Sequence, residues 1–136
     1  MKTPNRAEVA RGFVSAIMSR YPHPVSYKER KLRGNNQYCV GGAVARWVHE
    51  VYALDAPTPR GFADGGTIAD ALRLLNGSMS TSQAMWYAMA IMSNNDGGNM
   101  PGAWHALERA LKCKDGESVE PSQQRIGADL AAVYCA

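Results

Sequence analysis

Cys39 stands directly before an apolar helical pattern, in "NNQYCVGGAVARWVHE", and is followed by Gly41, Gly42 and Ala43. A thiol at a helix N-terminus faces free N–H groups and a partial positive charge, which favour the thiolate. Such a thiolate attacks a carbonyl or another sulfur if a base and an orienting group stand beside it. The amides at Gly41 and Gly42 would then suit an anion. His105 and Asp96 are the candidate partners, with Asn95 as an alternative orienting group, provided "NNDGG" folds onto the cysteine helix. His49 follows Cys39 by ten residues on the same helix, about 15 Å away by helical rise, and is out of reach. His23 lies in the turn "YPHP".

The same residues have a reading without chemistry. Each glycine costs a helix roughly 1 kcal/mol relative to alanine. Two in succession therefore indicate that a side chain would clash, as in close packing against a loop or a crossing helix. Asn95 or Asp96 could cap the cysteine helix from outside, which would account for both stretches together. Asp96 could equally cap the helix after it. Asn94 adds a side chain able to bind a ligand. A calcium loop opening at Asn94 fails, because its twelfth position is His105 and not an acidic residue. The three cysteines and three histidines show none of the short spacings that zinc prefers. No metal or cofactor is expected.

The elements that position these residues are helical. Thr3 and Pro4 suit a helix start, and Ala10, Phe13, Val14 and Ile17 recur at helical spacing, giving a first helix to about Arg20. The cysteine helix runs from about Tyr38 to Ala53. Thr67 and Asp70 resemble a capping box before "IADALRLLN", with Gly77 as its stop. Ser80 and Gln83 form a second box, opening a helix that "SNNDGGN" ends. Pro101 suits the first turn of a fifth helix. Ile126, Leu130, Val133 and Tyr134 mark a last one over about 122–135. No segment alternates with a period of two. The expectation is one compact all-α domain, 1–136, of five to seven helices.

"YCVGGAVARW", "IADALRLLN" and "AMAIMSNNDGGNMPGAWHALERAL" resemble a family of small, uncharacterised helical proteins of bacteria, notably actinobacteria, and their phages. The matching positions are Cys39, Gly42 and Ala43, then Ile91, Asn95 and Asp96, then Leu107 and Ala110. The resemblance covers roughly residues 36 to 112 and implies a helical fold and a phage-related or bacterial defence or regulatory setting. It implies no reaction. The "YPHP" segment departs from the tryptophan-containing start of that family.

At 136 residues the chain is long enough for a single core, and its 46% hydrophobic and 20% charged residues are those of a globular protein. A net charge of +3 is compatible with an acidic partner without requiring one. Lys28, Arg30, Lys31 and Arg33 form a basic cluster that could touch phosphates, although no helix-turn-helix or aromatic ladder accompanies it. Three free cysteines and the lack of a signal-like N-terminus point to the cytoplasm. No apolar run approaches a membrane span. Met79, Met85, Met89, Met92 and Met100 cluster in and around the fourth helix, as core filler or as an adaptable binding face. The leading expectation is a protein-interaction module with an unidentified protein partner, and an oligomer is compatible with it. A thiol hydrolase or transferase built on Cys39 is the alternative, and nucleic-acid contact a weaker one.

Overall fold

The computed structural model describes residues 6–26 and 37–114. Within them lie five helices and no strand: α1 (Arg6–Arg20), α2 (Val40–Tyr52), α3 (Gly65–Leu75), α4 (Thr81–Asp96) and α5 (Met100–Lys112). The all-α reading therefore holds for these residues. The basic cluster 28–33 and the helix expected over 122–135 lie outside them.

α4 packs most extensively against α5 and α3, α1 lies on α5, and α2 lies on α3. One apolar cluster joins all five, with Ile17, Val44, Val48, Ile68, Leu72, Ile91 and Leu107 fully buried. The facing stripes of α4 and α5 are built largely of alanine (Ala84, Ala88, Ala103, Ala106 and Ala110), and small side chains let helix axes approach closely. At the joint of α1 and α2, Phe13 meets Trp47 edge to face at 5.8 Å, and the Tyr21 hydroxyl donates to Glu50 at 2.7 Å.

Three helix ends differ from expectation. α3 begins at Gly65, because the Asp64 carboxylate accepts from the Thr67 N–H at 2.8 Å; Asp64, not Thr67, is the cap. This charge-assisted bond holds the Asp64 carboxyl below the usual carboxylate range. α3 ends at Asn76, whose backbone is extended, so Gly77 supplies no left-handed stop. The Asn76 side chain explains the change: its amide donates to Ala110 O at 3.0 Å and Cys113 O at 2.8 Å, closing the C-terminal end of α5. α4 runs on through Asn94 and Asn95, which "SNNDGGN" is expected to exclude, because both side chains are hydrogen-bonded inside the fold. The Ser80–Gln83 box forms as the sequence indicates, and so does Pro101 in the first turn of α5.

Gly12 and Gly42 make opposite demands. Nothing lies within 4 Å of a Cβ placed on Gly12, whereas one on Gly42 would overlap the Gly61 carbonyl. Gly12→Ala should therefore stabilise by roughly 0.5–1 kcal/mol through helix propensity. Gly42→Ala should destabilise by about 2 kcal/mol or more, since backbone must shift. Urea-denaturation midpoints of the two variants check both signs.

Candidate functional site

Cys39 is the N-cap of α2. Its backbone is extended, and its Sγ accepts from the Gly42 N–H at 3.2 Å. Its own N–H donates to Gly61 O at 2.9 Å, and its carbonyl accepts the first intrahelical bond, from Ala43. The sulfur thus takes the place that a Ser or Asp oxygen holds at an ordinary cap.

The next amide, Val40 N–H, donates to Asn95 Oδ1 at 2.9 Å. Asn95 Nδ2 donates to Val25 O at 3.0 Å, and Val25 N–H donates to Tyr38 O at 2.9 Å. One side chain near the end of α4 therefore ties the start of α2 to the segment after α1. Asn95 is fully buried, and both ends of its amide are used. This is the outside cap expected for Asn95. Asp96, one residue on, is exposed. The helix after it is capped by Asn99, whose Oδ1 accepts from Gly102 N–H at 3.1 Å.

Asn94 belongs to that second cap. Its Nδ2 donates to Ala90 O at 2.8 Å, and its Oδ1 accepts from Asn99 Nδ2 at 3.0 Å. A Cβ on Gly102 would overlap both asparagine side chains, which accounts for the glycine after Pro101. Gly41 and Gly42 are accounted for in the same way. The first faces the Ile68 side chain, and the second faces the Gly61 carbonyl. Gly61 in turn lies against Gln37 O. The amides of Cys39, Val40 and Gly42 already have partners inside the protein, so an anion bound to any of these three would have to displace them.

The thiol is equally enclosed. Cys39 is 5% exposed. Burial pushes its pKa up, and the Gly42 and Ala63 N–H groups pull it down by less. The Asp96 charge adds to the rise, the opposite of what a nucleophile needs. No histidine hydrogen-bonds to the sulfur. His105 is half-buried on α5, and its Nε2 makes no hydrogen bond among the described residues. His23 is exposed, and His49 Nε2 donates to Ala56 O at 2.6 Å. The geometry brings Cys39 and Asn95 to one backbone junction, with no base hydrogen-bonded to the thiol among the described residues.

A concave surface among the described residues lies elsewhere. α2, α3 and the segment 53–60 enclose a groove of about 220 Å³. Ala45, Val48, Leu54, Pro57, Ala71 and Leu74 line it, with His49 and Asp70 among them. The bond from His49 to Ala56 holds the proline-bearing segment against the end of α2. Leu54 and Leu74 are 38% and 46% exposed, and Val51 and Tyr52 beside them are exposed too. A shallower hollow lined by Asp70, Arg73, Leu74 and Gly77 continues it past the end of α3. The sequence reading missed this groove: "LDAPTPRGFADGG" reads as a loop, and nothing local to it shows which helices it crosses.

The methionines are divided. Met79 is buried, Met85 and Met89 are exposed, and the tips of Met85, Met89 and Met92 gather over Gly65. Trp86 is half-buried against Tyr87. Among the described residues no helix is long and apolar enough to cross a membrane. Comparison with protein-family models, with curated proteins and with solved structures gives no match in any of the three.

Two outcomes are expected at the junction. Asn95→Ala leaves the Val40 N–H and the Val25 carbonyl buried and unpaired, so stability should fall by about 2–4 kcal/mol in urea denaturation. Asn95→Asp should not restore it, because a carboxylate cannot donate to Val25 O; a loss under about 0.5 kcal/mol in either variant contradicts the assignment. Cys39, in the folded protein, should resist iodoacetamide at pH 7–8 while the unfolded chain reacts. The raised pKa gives a protonated thiol whose stabilising contribution is complete below the free-thiol pKa, about 8.5, and is lost as pH rises through the higher folded value. Mass spectrometry of the alkylated chain across pH 7–10 reads this.

Proposed function

We propose that this chain is a small protein-interaction module whose docking surface is the groove between α2, α3 and the segment 53–60. One observation carries the reading: an apolar concavity with an exposed apolar rim, in a protein whose conspicuous cysteine is occupied in packing. Leu54 and Leu74 form that rim, and Val51 and Tyr52, at the end of α2 just before Leu54, are exposed as well. Exposed apolar residues gathered around a hollow are the usual mark of a binding surface.

The partner fitting this surface is an apolar protein segment, and the chain's net charge of +3 is compatible with an acidic one. Cys39, a buried free thiol, suits a reducing cytoplasm. The family resemblance supplies the setting, a phage-related or bacterial defence or regulatory system. A thiol enzyme receives less support, since Cys39 is buried, bonded to Gly42 and hydrogen-bonded to no base among the described residues.

The test uses the tagged full chain, a Leu54→Asp/Leu74→Asp variant and a Met85→Lys/Met89→Lys control on another face. A partner recovered with the parent and the control should be lost with the groove variant. With both proteins purified, calorimetry should show at least tenfold weaker binding for Leu74→Asp alone. A partner that tolerates the groove substitutions and is lost with the methionine variant would overturn the proposal. Circular dichroism checks that each variant folds.

A further inference from the structure

The methionines of α4 hold an arrangement that neither the groove nor the Asn95 junction uses. Met85, Met89 and Met92 are spaced i, i+4 and i+7, which puts them on one face of the helix. Their tips meet over Gly65, at the start of α3. A Cβ placed on Gly65 would have Met85 Cε at 3.6 Å, Met89 Sδ at 3.6 Å and Met92 Sδ at 3.7 Å as its nearest neighbours. The sulfurs of Met89 and Met92 are therefore less than twice 3.7 Å apart. The Met85 sulfur stands one bond behind its methyl.

Core filling accounts for only part of this. Met79 is buried, and Met92 packs against the apolar core. Met85 and Met89, at 38% and 52% exposed, are open to solution. Leucine would fill the buried part of these positions as well as methionine does. What a thioether adds is a soft, uncharged sulfur donor. Such donors select Cu(I) over the hard cations, which prefer oxygen, and over zinc, which takes thiolate, imidazole or carboxylate. Among the described residues no group of three His, Cys, Asp or Glu could hold a metal ion. Charge does not oppose a cation here. The start of α3 carries about half a positive charge. The Asp64 carboxylate that caps it, one residue from Gly65, offsets this with a full negative one.

We propose that Met85, Met89 and Met92 form a thioether site for Cu(I), seated over Gly65. Methionine has three rotatable bonds, and on side chains this exposed a rotation moves the sulfur by roughly an ångström or two, which draws the three donors together. Gly65 leaves room beneath them, because a side chain larger than alanine would enter the space where the tips meet. A thioether has no proton to lose. The site therefore holds its ion in mild acid, where thiolate and imidazole sites empty. The groove has no part in it.

The test uses the full chain carrying Cys135→Ser, which removes a competing thiol; Cys39 and Cys113 are buried. Cu(I) is titrated without oxygen against a chromogenic chelator at pH 5 and pH 7, with the methionine ε-methyl signals followed by NMR. One equivalent should be drawn from the chelator at both pH values. The methyls of Met85, Met89 and Met92 should shift together, while those of Met18, exposed on α1, and Met79 stay in place. Met85→Leu/Met89→Leu/Met92→Leu keeps the packed volume and should weaken binding at least tenfold. Met89→Leu alone, at the most exposed of these positions, should weaken it in a chain whose core is untouched, and Met18→Leu should change nothing. Affinity that survives the triple substitution, or shifts spread equally over Met18, would overturn the proposal. So would binding at pH 7 that vanishes at pH 5, the mark of a thiolate or imidazole ligand.

Discussion

Asn95 has one amide to donate, one oxygen to accept with, and no water to turn to. It is fully buried, and it spends both groups on backbone, Val40 N–H on one side and Val25 O on the other. A buried polar group left unpaired costs on the order of 1–3 kcal/mol, so the positions of these two backbone segments relative to α4 are tightly specified. Everything at the start of α2 follows. With Val40 held, Cys39 falls at the cap, its N–H meets Gly61 O, and Gly42 comes so close to that carbonyl that no side chain fits.

The state of Cys39 comes from two opposing effects. The helix N-terminus and its amides favour a thiolate, and burial disfavours one. Burial wins, helped by Asp96, because the amides that would stabilise a thiolate are divided among Asn95, Gly61 and the sulfur itself. A cysteine is well suited to this place: it is small, it tolerates a dry environment, and its sulfur accepts weakly enough to need no further partner. Asparagine plays a matching role at other helix ends. Asn99 caps the start of α5 and Asn76 closes its other end. A fold made of short helices has many unsatisfied termini, and buried asparagine can satisfy two groups at once.

Helical periodicity was enough to read α1, α2 and α5 to within a few residues, and the Ser80–Gln83 box marked the start of α4. The small residues after Cys39 correctly indicated close approach, and the pairing of Asn95 with the cysteine helix was legible as an outside cap. What the sequence could not show was anything set by tertiary partners. Asn94 and Asn95 read as helix breakers because their local preference is for turns, and only Ala90, Asn99, Val40 and Val25 make them tolerable inside α4. Gly77 read as a stop because the role of Asn76 depends on α5, more than thirty residues away. The identity of Gly42's neighbour, Gly61, was likewise hidden, as was the groove.

The groove and the Asn95 junction are linked through α2. The junction sets where the helix starts, and thereby where Val48, His49 and Leu54 present themselves at its other end against α3. The most direct test of this account is native-state hydrogen exchange at Val40. An amide in the first turn of a helix normally has no intrahelical acceptor and exchanges quickly. With Asn95 as acceptor inside the core, Val40 should be protected to nearly the level of the central amides of α4, and Asn95→Ala should remove that protection. Exchange at the rate of an open first-turn amide in the parent protein would contradict the claim that Asn95 fixes the start of α2.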